Sequence, residues 1–173
     1  MSTLTAFDIA WHMRLFAQGL RHQFITPNVN YYDWESDLLT VTPEGHVCEV
    51  EIKISRNDLL NDLLKPKHCE GILLNGSLTH EAAKRGRSPA LARRPNYFCF
   101  AMPCEVFRRP KPPVLPPYAG VFTVDDQGRV FEEKRPIQLH GARISQEDLL
   151  DLARRIHHRY WHELRHARHL GEV

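Results

Sequence analysis

The chain has 173 residues, 42% hydrophobic and 25% charged, with 23 basic against 21 acidic side chains and a formal net charge of +2. That suits one soluble globular domain with a sizeable core, and no run of about 18 apolar residues is present to span a membrane. The opening MSTLTAFDIAWHMRLF has an acidic residue and no basic region before its apolar stretch, so a secretory signal is not expected, and a cytoplasmic protein with four reduced cysteines is.

Charge is unevenly spread. Residues 1–62 hold nine acids against four bases, a net of −5, whereas residues 71–118 hold two acids against eight bases, a net of +6. Cations and polyanions could be held side by side by such a chain, although two solvated surfaces would read the same way.

In chain order, residues 4–20 predict a helix with an apolar face of Ala6, Ile9, Ala10, Met13, Leu15, Phe16 and Leu20, capped by Thr3 or Thr5 and not continued past Pro27. SDLLTV (36–41) and VCEVEIKIS (47–55) predict a hairpin closed on Thr42 and His46, with Pro43 at the first central turn position and Gly45 in the left-handed region. That turn sets Val41 opposite Val47 and, counting on, Asp37 opposite Glu51. RNDLLNDLLK (56–65) predicts a helix with Ser55 as N-cap, Asp58 in an approximate capping box and a stripe of Leu59, Leu60, Leu63 and Leu64, stopped or kinked at Pro66. Residues 67–95 read as a basic loop with a short helix near 79–85. NYFCFAM (96–102) reads as a strand, RRPKPPVLPP (108–117) as an extended connector, and AGVFTV (119–124) with RVFEEK (129–134) as a second hairpin. Residues 146–170 predict a long amphipathic helix with Leu149, Leu152, Ala153, Ile156, Tyr160, Leu164 and Ala167 on one side. Arg154, Arg155, His158, Arg159, His162, Arg165 and His169 lie on the other. The class is mixed α/β.

The second strand carries the chemistry. Strand alternation puts Glu49, Glu51, Lys53 and Ser55 on one face and Cys48, Val50, Ile52 and Ile54 on the other. Asp37 level with Glu51 brings two carboxylates within roughly 5 Å at Cβ, which is unfavourable unless a cation joins them. Magnesium binds through one or two carboxylates with waters and phosphate oxygens, and Lys53, one strand step on, is placed to stabilise charge on a phosphate. A bare Glu-x-Lys is more often a solvated strand face. The matched Asp37, the apolar counter-face and the capped helix directly after it favour a site.

ESDLLTVTPEGHVCEVEIKISRNDLLNDL resembles the core of the PD-(D/E)XK nuclease superfamily, with Asp37 at the head of one strand and Glu51-Ile52-Lys53 in the next. RPNYFCFAMP (94–103) and LPPYAGVFTV (115–124) extend the resemblance, in pieces over about 24–140, to MmcB-like DNA-repair proteins of bacteria and phages. It implies a restriction-endonuclease-like core: a mixed β-sheet flanked by helices. The expected organisation is one nuclease-like domain over 1–173, with a core at about 4–140 and a C-terminal helix at about 146–170. Asp37 and Glu51 are then the magnesium ligands, with manganese as the substitute, and Asp37, Glu51 and Lys53 the catalytic set. Many relatives place a further acid on the first helix, where Asp8 is the one candidate; Glu35 and Glu49 also face the expected site, as supporting or extra metal ligands or, slightly favoured, as surface.

Basic residues that could follow a DNA backbone are Lys65, Lys67, Arg85, Arg87, Arg93 and Arg94. Tyr97, Phe98, Tyr118 and Trp161 are stacking candidates, although strand aromatics are usually core. Zinc is disfavoured: Cys99-x4-Cys104 and His68-Cys69 do not make four matched ligands. The expected activity is metal-dependent hydrolysis of DNA in bacterial or phage DNA repair. The alternatives are a non-catalytic DNA-binding or adaptor protein keeping the nuclease core, and a small interaction module without a nucleic-acid role. The apolar side of 149–167 is open to a core role or a homodimer interface.

Overall fold

The computed structural model describes residues 4–32, 34–65, 67–68, 94–108 and 110–170. The expected short helix near 79–85 lies outside them. The chain divides into two compact units, Met1–Ala142 and Arg143–Val173.

In the first unit, helix α1 (Ala6–Gly19) opens with a capping box: Thr5 accepts from the Asp8 amide, and the Asp8 carboxylate accepts from the Thr5 amide. Its buried residues are Ile9, Met13 and Ala17, a narrower stripe than predicted, since Leu15 and Leu20 are exposed. Strand β1 (Gln23–Val29) follows, then β2 (Ser36–Val41) and β3 (Val47–Ile52), all antiparallel. The turn between β2 and β3 closes as expected: the Thr42 amide donates to the His46 carbonyl at 2.8 Å, and Gly45 has φ +85°. Helix α2 (Arg56–Asp62) is capped by Ser55, which accepts from the Asp58 amide at 3.1 Å. Strand β4 (Tyr97–Pro103) runs parallel to β3; the short helix α3 (Cys104–Arg108) and the proline-rich connector lead to β5 (Gly120–Val124), parallel to β4, and β6 (Val130–Lys134) returns antiparallel. The described strands form a six-stranded mixed sheet in sequence order. The second unit holds helix α4 (Gln146–Leu170).

Both sheet faces are covered. On one, Ile9 and Met13 of α1 pack on Leu38, Cys48, Val50, Ile52, Cys99, Ala101, Phe122 and Val124. On the other, Leu59 of α2 joins Phe98, Phe100, Met102, Tyr118, Ala119 and Val121. The register sets Glu49 beside Phe98 and Glu51 beside Phe100, so the charged face of β3 lies on the α2 side, inside the protein. The expectation that Glu49 is surface is therefore overturned: it is 0% exposed. Strand β3 ends at Ile52, so Ile54 falls outside the apolar face and is exposed.

Candidate active site

The β2–β3 ladder pairs Leu38 with Val50 and Val41 with Val47, and the same count brings Asp37 level with Glu51. The Asp37 carboxylate accepts from the Ile52 amide at 2.8 Å, which ties it to the end of β3. Lys53 lies just beyond, its amide held by the Ala101 carbonyl at 2.9 Å. Its ammonium stands 2.9 Å from Glu51 Oε2 and 3.9 Å from Asp37 Oδ2. The three sequence-predicted catalytic residues therefore meet. Glu51 and Lys53 are buried, whereas the Asp37 side chain is 37% exposed and forms the open side of the group.

Sequence reasoning missed three further members. Asp62, the last residue of α2, turns inward and is 1% exposed, with Oδ1 3.2 Å from Lys53 Nζ. His68 Nε2 lies 2.9 Å from Asp62 Oδ2, and its Nδ1 lies 2.8 Å from the Tyr118 hydroxyl. A neutral ring that donates Nε2–H to the carboxylate leaves Nδ1 to accept the Tyr118 O–H, so one tautomer satisfies both neighbours. Lys67 Nζ reaches Glu51 Oε1 at 2.6 Å and stands 3.9 Å from both Glu49 and Asp62. Glu49 accepts from the Trp34 indole N–H at 2.8 Å, and Trp34 stacks on Tyr32.

Most of these charges are buried, and they are matched. The carboxylates of Asp37, Glu51 and Asp62 face the ammoniums of Lys53, Lys67 and Lys65. Burial pushes the Glu49 carboxyl up to about 8, with neighbouring Glu51 adding to the rise and Lys67 opposing it. Burial thus favours the protonated form of Glu49. Burial also raises Glu51, but Lys67 and Lys53 outweigh it and hold the group below its ordinary value. Asp62 follows the same pattern: burial is opposed by His68, Lys65, Lys67 and Lys53, and the carboxyl sits far below the usual range. Burial and then Glu51 raise Asp37. Lys53 is pulled down by burial but lifted more by Glu51, Asp62 and Asp37.

Lys67, expected on a DNA-facing surface, is 8% exposed and belongs to the ion cluster instead. Lys65 is half-exposed and pairs with Asp62. Arg94 is partly buried, its carbonyl 2.9 Å from His140 Nε2, while Arg85, Arg87 and Arg93 lie outside the described residues. Asp8 is engaged by its own cap, and Glu35 is exposed. Phe98 and Tyr118 are core, and Trp161 is exposed. Cys99 Sγ lies 3.9 Å from Cys48 Sγ, both buried. Among the described residues, no three His, Cys, Asp or Glu side chains gather as a metal-binding group. The oxygen donors Asp37 and Glu51 nonetheless suit magnesium, which needs only one or two carboxylates beside water. Glu49 Oε2, buried and without a hydrogen-bond partner among the described residues, is a further oxygen on the same face.

No family model matches the chain. No curated protein matches it. Among solved structures it is similar to SPO1766, a protein of unknown function from Silicibacter pomeroyi, over 100% of this chain and 97% of that one, with a TM-score of 0.60 and 13% identity. At that identity the likeness is one of fold. The architecture is mixed α/β, with a six-stranded mixed sheet flanked by helices. Among the described residues no helix is long and apolar enough to cross a membrane.

Proposed function

We propose that the protein is a metal-dependent deoxyribonuclease of the PD-(D/E)XK type, with a restriction-endonuclease-like core, acting in bacterial or phage DNA repair. The observation that carries this reading is the meeting of Asp37, Glu51 and Lys53 at adjoining strand ends, with Asp37 open to solvent. Asp37 and Glu51 would hold magnesium or manganese. When bound, such an ion supplies Lewis-acid stabilisation of a phosphate and acidifies a water. The chain's own part is to fix Asp37 through the Ile52 amide and to hold Lys53 charged, so that its ammonium meets the extra negative charge on the phosphate as water attacks. Lys65, Arg85, Arg87, Arg93 and Arg94 would hold the DNA backbone.

One observation favours a second reading. Both oxygens of Glu51 lie against lysine ammoniums, Lys53 at 2.9 Å and Lys67 at 2.6 Å, so its charge is compensated without a metal. A non-catalytic DNA-binding protein would use this as an internal ion cluster.

Wild type, Asp37→Asn and Lys53→Ala are incubated with single-stranded, duplex and branched DNA in magnesium, manganese or EDTA. The nuclease reading expects metal-dependent cleavage that both folded variants lose. Salt-sensitive binding with no cleavage of any substrate would replace it by the second reading. Absence of both would leave neither.

A further inference from the structure

Helix α4 contains the run His162-Glu163-Leu164-Arg165-His166. Residues four apart on a helix share a face, so the two imidazoles stand one above the other. Their ring centroids are 4.5 Å apart, with planes at 51°, and both side chains are exposed. We propose that His162 and His166 form a two-imidazole site for a divalent transition-metal ion of the zinc, nickel and copper class.

The spacing suits the chemistry. Two zinc–nitrogen bonds at a tetrahedral angle set the ligating nitrogens about 3.3 Å apart. Rings with centroids 4.5 Å apart reach that separation by side-chain rotation alone, and the helix fixes their backbones beforehand. The surroundings choose the class of ion. Arg159 precedes the pair, and Glu163 and Arg165 lie between its members, so no net negative charge gathers there to hold a hard cation by charge alone. Neutral imidazoles bind by donating nitrogen lone pairs, which favours zinc, nickel and copper over magnesium and calcium. This site therefore differs in donor chemistry from the oxygen donors of Asp37 and Glu51.

The His-Glu-x-x-His pattern is also that of helical zinc hydrolases. Hydrolysis is not proposed, because such sites take a third protein ligand. Among the described residues no third His, Cys, Asp or Glu joins the pair. His158 is four positions before His162 but eight from His166, about 12 Å along the helix axis and too far to share its ion, and the close ring pair is His162 with His166. The His157 ring already accepts from the Trp161 indole N–H at 3.1 Å. Two histidines thus bind, and the remaining positions are left to water or to a donor from another molecule.

Zinc alone is titrated into the full chain by calorimetry, for wild type and for His162→Gln, His166→Gln, His158→Gln and His157→Gln. One tightest zinc per wild-type chain is expected. His162→Gln and His166→Gln should each weaken it at least tenfold, and the other two less than threefold. Circular dichroism in EDTA checks that every variant keeps its helix content. Two results would overturn the assignment: unchanged affinity in the His162 and His166 variants, or equal losses across all the histidine variants (a diffuse imidazole surface).

Discussion

Asp62 closes α2 with its carboxylate 3.2 Å from the Lys53 ammonium, so the helix after β3 is anchored by charge to the strand end it follows. The contact lies in the interior: Asp62 is 1% and Lys53 3% exposed. Removing one partner of a buried ion pair is costly because the other charge stays buried and uncompensated. Asp62 also faces Lys67 and His68, so its loss strands more than one partner. Asp62→Ala is expected to destabilise the protein by about 3–5 kcal/mol. Urea denaturation would read this directly, and a loss under about 1 kcal/mol would show that the cluster contributes little.

The cluster should also give stability a two-sided dependence on pH. Glu49 is raised from 4.5 to about 8, so it takes up a proton on folding anywhere between those values. Its contribution is whole below about 4.5 and falls away as pH rises towards 8. Asp62 and Glu51 are lowered, so theirs is present above their ordinary values of 3.8 and 4.5 and is lost on acidification. Glu49→Gln mimics the protonated acid. It should come nearest to wild type at pH 5 and exceed it increasingly towards pH 8. Denaturant midpoints at pH 5, 6, 7 and 8 in EDTA test the difference; parallel curves would mean that Glu49 ionises freely in the folded protein.

Much of this site was legible because strand geometry is local. Pro43 and Gly45 defined the turn, the turn defined the register, and the register brought Asp37 level with Glu51. Asp62, Lys67 and His68 escaped because their place against β3 depends on how α2 lies on the sheet. A signal for Asp62 was available: it is three positions after Leu59 and so shares its inward face, a polar residue where a helix should bury an apolar one. The same packing exposes Leu60 and Leu64, which the leucine stripe had placed inside. Strand β1 was unpredicted because its period is broken. It carries Pro27, a register shift between Gln23 and Thr26, and positive φ at Phe24 and Asn28. Proline is tolerated there because β1 is an edge strand.

Lys67 gives a way to separate the two functional readings without a cleavage assay. Its ammonium lies where a cation binds Glu51, 2.6 Å from Oε1. Lys67→Met removes that charge while keeping an apolar stem of similar length. If Asp37 and Glu51 are metal ligands, 10 mM magnesium (about this concentration suffices for a weak site) should raise the Tm of the variant more than that of wild type. An equal response in the two proteins would count against a metal site at Glu51.

Asn96, directly before β4, ties that strand to the start of β3. It is 1% exposed, and its carbonyl oxygen accepts from the Val47 amide at 2.7 Å, at the start of β3. Its amide nitrogen donates to the carbonyls of His140 and Ala142 at 2.8 and 2.7 Å. One side chain therefore joins the first residue of the site strand to the end of the first compact unit. Asn96→Ala leaves these three backbone groups without that partner, and each buried group left unsatisfied costs about 1–3 kcal/mol. Protonated, Asn96→Asp keeps the acceptor for Val47 and one O–H donor for a single carbonyl, so it should restore the β3 contact and one of the other two. The expected order of stability is wild type, then Asn96→Asp, then Asn96→Ala when the aspartate is protonated at low pH. At neutral pH the buried carboxylate would face two carbonyl oxygens, and Asn96→Asp should fall below Asn96→Ala. Thermal melts of the three proteins at pH 4 and pH 7 would show the crossover, and the same order at both pH values would mean that Asn96 is accessible enough to shed its partners to water.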